Sequence, residues 1–375
     1  AGGFAMNYLT DIEKASHYYN LALSVAQAAN NAEWIANCYN DIGEMYCVIG
    51  ELDTAIENLS QSIATRKTIL DENHISFTDS YCNLGYCYDL LGQFDEAMEL
   101  FQFALTIRQE HLGMQNNDVA LSINNLGMMH LQLGETQQAL ECFNQALEIQ
   151  LAVLGENSED VACSYNNIAG AYSDLDDPEK AIEYEVKCLN IYKSIFGETH
   201  PEVAIAYINL CVFHNEAGRS EESIIYGQKA LDIYLRLFGE DNLFVAQCYN
   251  NLGVSYESLE DYDKALEYAN KSLAIKLDIL GEDHPGLVNT YNNIGSALDN
   301  LGQYEESIVY YSKALTISIE YYGEVHPSVS RVYVNLAHSY EHLGNYDEAL
   351  RLMQKGIEAL PEGHPSIPKI QQKIA

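Results

Sequence analysis

Asn83, Asn125, Asn167, Asn209, Asn251, Asn293 and Asn335 stand 42 residues apart, and Asp41 holds the first place in the same column. Asparagine is a poor helix former whose side chain competes for backbone hydrogen bonds, so a column of it within helical sequence calls for a reason. Its amide carries both a donor and an acceptor. That pair suits the gripping of a peptide backbone whose own groups would otherwise be desolvated without partners. A second column, Asn40, Asn124, Asn166, Asn250 and Asn292, lies beside the first and widens the grip or reaches ligand side chains. The other use is structural, with amides bonding between adjacent units or to carbonyls of the preceding turn. The two uses are compatible, and both stay open here.

Other chemistry is sparse. His338 and His342 are four apart, hence on one helical face, with Glu341 beside them, a pair that can begin a metal site. No third ligand is evident, so they read as solvated groove histidines and no metal is expected. Glycines recur once per unit rather than clustering after a strand, which excludes a phosphate-cradling loop. No Ser, His and Asp set has the local context of a nucleophile. No catalytic residue and no cofactor are assigned, and the chain reads as a non-enzyme.

The elements that carry these residues follow from the same period. Tyr39, Tyr81, Tyr165, Tyr207, Tyr249, Tyr291 and Tyr333, with Ile123 in the one gap, keep the 42-residue register without insertion. A fixed period in this range marks a solenoid whose units bury their apolar faces against neighbours. Within one unit, Leu287, Tyr291, Ile294, Gly295 and Leu298 recur at helical steps up to Gly302. A second stripe follows at Ser307, Ile308, Tyr311, Ala314, Leu315 and Ile317. Each unit is thus a helical hairpin. Pro201, Pro285 and Pro327 mark helix starts, and Gly197, Gly281 and Gly323 end the helices before them. Ala97, Ala139, Ala181, Ala265 and Ala349, then Ala104, Ala146, Ala230 and Ala314, read as close-packing columns. The tyrosines at the Tyr39 and Tyr184 columns pack their rings and bring hydroxyls to the rim, while Tyr86 faces the groove as a ligand contact.

The run Tyr249-x-Asn251-Leu252-Gly253-x-x-Tyr256, then Gly-x-Tyr/Phe-x-x-Ala, then an aromatic and Ala-Leu, resembles the tetratricopeptide repeat. The 42-residue length and the Leu-Gly-Glu-x-His-Pro-x-Val linker resemble the kinesin light chain subtype. Departures are local: Asp176-Asp177-Pro178 replaces the usual turn glycine, Cys211 takes a glycine place and Thr136 an aromatic one. The resemblance implies an all-α fold, a right-handed superhelical α-solenoid of about eight hairpins plus a partial N-terminal repeat. It also implies that first helices line a concave groove, and that the asparagine column binds a ligand's main chain there. Relatives of this kind clamp acidic ligands with groove Lys and Arg. At those places this chain has Asn37, Asp79, Leu121, Cys163, Ile205, Gln247 and Asn289, and only Arg331 is basic.

The expected partition is residues 1–32 as a partial repeat or cap helix, units at 33–74, 75–116, 117–158, 159–200, 201–242, 243–284, 285–326 and 327–360, and 361–375 as a C-terminal cap or truncated repeat. Residues 13–29 match a second helix, and Ala1-Gly2-Gly3-Phe4 reads as a processing remnant outside the fold. His364-Pro365 falls four residues earlier than the period requires.

Charge narrows the partners. Acidic residues number 55 against 19 basic, a formal net charge of −36, which disfavours nucleic acid and anionic membrane. The first-helix windows, seventeen residues from 33, 75, 117, 159, 201, 243, 285 and 327, hold fourteen acids and one base, Arg331. Asp89, Glu257 and Asp299 are among the acids expected on the groove wall. Nine cysteines without paired spacing read as small buried hydrophobes in a reducing, cytoplasmic setting. The expected function is a non-catalytic interaction scaffold or adaptor, binding a neutral or basic peptide segment in the groove. The alternatives are a sensor or regulatory arm of a larger enzyme or signalling protein, such as a protease or NTPase, and self-association.

Overall fold

The structure, a computed structural model, describes residues 2–361, 364 and 366–374, with side chains from residue 14 onward. Ala1, Glu362, Gly363, Pro365 and Ala375 lie outside the described residues, and with them parts of the expected N-terminal remnant and C-terminal cap.

The chain forms two compact units, Gly3–Glu198 and Thr199–Ala375. In the first, α1 (Gly2–Ala28) precedes four hairpins: α2 (Ala32–Val48) with α3 (Leu52–Lys67), α4 (Thr78–Leu90) with α5 (Phe94–Leu112), α6 (Asn117–Gln132) with α7 (Thr136–Leu154), and α8 (Glu159–Asp174) with α9 (Pro178–Phe196). The second holds α10 (Pro201–Glu216) with α11 (Ser220–Phe238), α12 (Leu243–Ser258) with α13 (Tyr262–Leu280), α14 (Val288–Asn300) with α15 (Tyr304–Tyr322), and α16 (Pro327–His342) with α17 (Tyr346–Glu358), then α18 (Ile367–Ile374). Short 3-10 turns at Ile75–Phe77 and Pro285–Leu287 open two of the first helices. Within each unit every first helix packs on its own second helix, and that second helix packs on the next first helix. This is the all-α solenoid of helical hairpins that the period requires. Helix α1 is one continuous helix through the stretch that reads as a lone second helix. At the other end, Ile370 of α18 is buried in a core shared with Leu352, Met353 and Leu360.

Turn chemistry sets the boundaries. Before four first helices, His74, His200, His284 and His326 cap the helix: the ring Nδ1 accepts the backbone N–H two residues on, at 3.0–3.3 Å. Asn116 and Asn242 do the same through Oδ1, at 2.7 and 2.8 Å. The linker histidines are therefore caps that satisfy a donor left over at a helix start. Where the turn glycine is missing, Asp176 and Glu260 adopt its left-handed conformation at φ 59° and 61°, a position that disfavours residues with a Cβ. Asp177 then accepts the Lys180 N–H, with Pro178 at the first helical position.

Close helix approach is built from size-matched pairs. A Cβ on Gly85 would lie 2.9 Å from the Phe101 ring, and one on Gly127 would lie 2.5 Å from Phe143. Both aromatic rings are fully buried, and each such side chain contributes about 1.5–3 kcal/mol by leaving water. The alanine columns at Ala97, Ala139 and Ala181 and at Ala104, Ala146, Ala230 and Ala314 are likewise sealed. Tyrosine pairs form the other recurring contact. Tyr165 and Tyr184, Tyr249 and Tyr268, and Tyr291 and Tyr310 sit about 6 Å apart, with Lys187, Lys271 and Lys313 over their rings. All nine cysteines are thiols. Cys163 is exposed and Cys38, Cys47 and Cys142 are half-buried, which corrects the expectation that the cysteines are buried. No helix among the described residues is long and apolar enough to cross a membrane.

Candidate functional site

Four positions of each first helix leave the packed face and reach solvent, spaced by four, three and four residues as one helical face requires. In α4 they are Asp79, Asn83, Tyr86 and Leu90, and in α16 they are Arg331, Asn335, His338 and His342. The predicted Asn83, Asn125, Asn167, Asn209, Asn251, Asn293 and Asn335 occupy the second of these positions and are all half-buried. The neighbouring column is more deeply set: Asn40 and Asn292 are buried, and Asn124, Asn166 and Asn250 half-buried.

The two columns meet as rungs between hairpins. Asn167 Nδ2 donates to Asn124 Oδ1 at 3.0 Å, Asn293 Nδ2 to Asn250 Oδ1 at 3.0 Å, and Asn335 Nδ2 to Asn292 Oδ1 at 3.0 Å. Asn83 Nδ2 makes the longer version to Asn40 Oδ1 at 3.5 Å. Each rung joins a first helix to the next one, so the ladder tailors the stacking of hairpins inside a unit. It consumes the donor of one amide and the acceptor of the other. The Oδ1 atoms of Asn83, Asn293 and Asn335 take no part in the rung, and that is the group left to meet a ligand N–H. Where Cys82 replaces an asparagine there is no rung, and Asn125 Oδ1 accepts instead from the exposed Tyr86 hydroxyl at 2.7 Å.

The three acids expected on the open wall occupy a more covered position. Asp299 is 9 % exposed, accepting from Ser339 Oγ and paired with His338 Nδ1, each at 2.6 Å. This corrects its reading as an open groove acid: Asp299 turns toward the next first helix and is spent on bonds to Ser339 and His338 there. Glu257 accepts from Ser296 Oγ and from Asn300 Nδ2 at 3.3 Å. Burial raises its carboxyl above the ordinary range, a shift the Ser296 bond partly opposes. Asp89 is half-buried, and burial raises it too.

Counting bases along first helices alone misses cations delivered by the second helices. Arg66 of α3, buried, reaches Asn37 Oδ1 at 2.7 Å through one guanidinium nitrogen and Ser62 and Ser80 through another. Arg108 of α5 reaches Asp79 Oδ1 at 3.0 Å and Ser122 Oγ at 2.8 Å. Lys276 of α13 donates to Thr290 Oγ1 and the Gly286 carbonyl, and burial pulls its ammonium below the ordinary value. The wall is therefore less bare of cations than its own helices imply: Asp79, exposed, is already paired with Arg108 from behind. The signal was present in the 42-residue spacing of Arg66, Arg108, Gln150 and Lys276, polar residues embedded in an apolar stripe. On the wall itself, Arg331 donates to Asn289 Oδ1 at 2.8 Å.

The tetratricopeptide repeat family matches the chain over residues 35–110, 118–194, 202–278 and 286–362, two hairpins to each segment. Among solved structures, BtubC (BKLC) from P. vanneervenii shares 24% identity over 61% of this chain and 92% of its own, with a TM-score of 0.52. The quorum sensor NprR from B. thuringiensis, in its apo form, shares 13% identity over 94% of this chain and 96% of its own, at 0.67. PH0952 from Pyrococcus horikoshii, a signal transduction ATPase with a tetratricopeptide repeat sensor, shares 15% identity over 98% of this chain and 53% of its own, at 0.65. At these identities the likeness concerns the fold. A comparison with curated protein sequences found no match.

Proposed function

The chain belongs to the tetratricopeptide repeat family, and on that premise we propose that it is a non-catalytic protein-interaction scaffold built on the 42-residue, kinesin light chain type of the repeat. It binds a neutral or basic peptide segment of a partner protein along the exposed face of its first helices, in a cytoplasmic setting. One observation carries this reading: half-buried asparagine amides recur at one register of that face, held in place by rungs that leave Oδ1 atoms unspent. A held carbonyl presents an acceptor to a peptide N–H with little entropy left to lose. The exposed acids Asp41, which holds that register in α2, and Glu44 three residues on favour lysine or arginine on the ligand.

An array of peptides of graded charge, probed with the whole chain, tests this. Neutral and basic peptides are expected to bind, and Asn83→Ala with Asn293→Ala and Asn335→Ala to weaken them while helicity is unchanged. A preference for acidic peptides, or undiminished binding by that variant, overturns the reading. The rival reading is a sensor or regulatory arm of a larger enzyme or signalling protein. It is favoured by one observation, that the likeness to PH0952 takes in nearly all of this chain but about half of that one.

A further inference from the structure

At the C-terminal end of α16 the imidazoles of His338 and His342 face each other with Nε2 atoms 3.3 Å apart. They hold different ring planes, 70° apart, with centroids at 4.5 Å. Each ring is oriented by something else. His338 Nδ1 bonds to Asp299 Oδ2 at 2.6 Å, and Asp299 is in turn fixed by Ser339. His342 lies flat against the Tyr304 ring, 4.7 Å away and 5° from parallel. With Nδ1 donating to the Asp299 carboxylate, the neutral His338 tautomer leaves its Nε2 lone pair on the side of His342. The pair is accessible: His338 is 52% exposed, and it borders a cavity of about 480 Å³ that also carries Asp299, Glu341, Asn335 and Lys373. Two carboxylates there face one ammonium, a balance that favours a cation.

We propose that His338 and His342 form a two-histidine chelate for zinc(II), with Asp299 as the outer carboxylate that orients His338 and water filling the remaining positions. The bite is the argument. Two Zn–N bonds of about 2.05 Å spanning 3.3 Å subtend about 107°, close to the tetrahedral angle. Histidines four apart on one helix recur as zinc ligands for this reason, and a carboxylate on the far ring nitrogen is the usual second partner, raising the basicity of the ligand. Zinc binding requires both Nε2 atoms unprotonated, so His342 would carry its proton on Nδ1 and both Nε2 lone pairs would turn to the metal. No three ligand side chains converge among the described residues, so the site is bidentate and of modest affinity.

Zinc chloride titrated into the whole chain under reducing conditions, followed by imidazole C–H resonances and calorimetry, tests this. The His338 and His342 resonances are expected to move together at lower zinc than the cap histidines. His342→Ala, an exposed change, should remove one binding event or weaken it at least tenfold, and His338→Ala should do the same. Asp299→Asn should weaken it about 10–100-fold, provided its circular dichroism matches that of the parent. Stationary resonances for these two rings at millimolar zinc, or identical isotherms for the parent and His342→Ala, overturn the proposal.

Discussion

Cys211 and Gly227 exchange the sizes that this contact has elsewhere in the chain: the Cys211 sulfur lies 3.1 Å from where a Cβ on Gly227 would stand. In the corresponding contact of the α4–α5 hairpin, Gly85 makes room for Phe101. The cysteine is held by Ser223, whose Oγ donates to the Cys211 carbonyl at 2.6 Å. A residue that departs from the repeat pattern is thus answered by a second departure across the contact.

That exchange is testable by reversing it. Gly227→Phe alone overpacks against Cys211 and Leu252 and should cost about 1–3 kcal/mol or more. Cys211→Gly with Gly227→Phe restores the arrangement of Gly85 and Phe101, which coexists with Leu126 at the place of Leu252, and should recover at least half of the loss. Urea unfolding of the three variants decides it. A double variant no better than Gly227→Phe alone would show that the sizes are not coupled.

The asparagine rung should be worth about 1 kcal/mol, the usual net value of an internal hydrogen bond. Asn124→Ala and Asn167→Ala each lose it, and the double variant should lose little more than either alone. A double-mutant cycle on unfolding free energies measures the coupling. Full additivity would mean that the 3.0 Å contact contributes nothing to stacking.

Glu257 gives a pH dependence whose sign follows from its raised carboxyl. In the window from the ordinary carboxylate value up to the raised folded value, the folded state binds more protons than the unfolded one. Stability therefore falls as pH rises through that window and stays lowered above it. Glu257→Gln removes the ionisation while keeping an acceptor for Ser296. Its thermal midpoint should exceed the parent's at pH 7, with the difference shrinking toward pH 4.5. A variant less stable than the parent at pH 7 would show that Ser296 needs the full carboxylate.

Charge selectivity should appear in kinetics. Association of a lysine-bearing peptide is expected to slow several-fold between 50 and 500 mM salt as screening shortens the reach of the wall's acids. Asp41→Asn with Glu44→Gln, both at exposed positions, should reduce the same rate at low salt and flatten the salt curve. Stopped-flow anisotropy reads both effects, and a salt-independent rate would remove electrostatics from recognition.

The 42-residue register determined, without coordinates, that the chain is a stack of helical hairpins, because a strict period leaves each amphipathic pair only its neighbours to pack against. It also placed Ala97 and Ala104 in close contacts and the prolines at helix starts. What the asparagines touch was not decided there. An amide pair 43 residues apart becomes a rung only when two first helices come within hydrogen-bond distance, as for Asn124 and Asn167. Nor could one helix reveal that Arg108 reaches Asp79, 29 residues away, or that Asp299 serves His338 rather than solvent. Those are decisions of packing: the period assigns a residue to a face, and the neighbouring hairpin decides whether that face meets water, a partner side chain or a ligand.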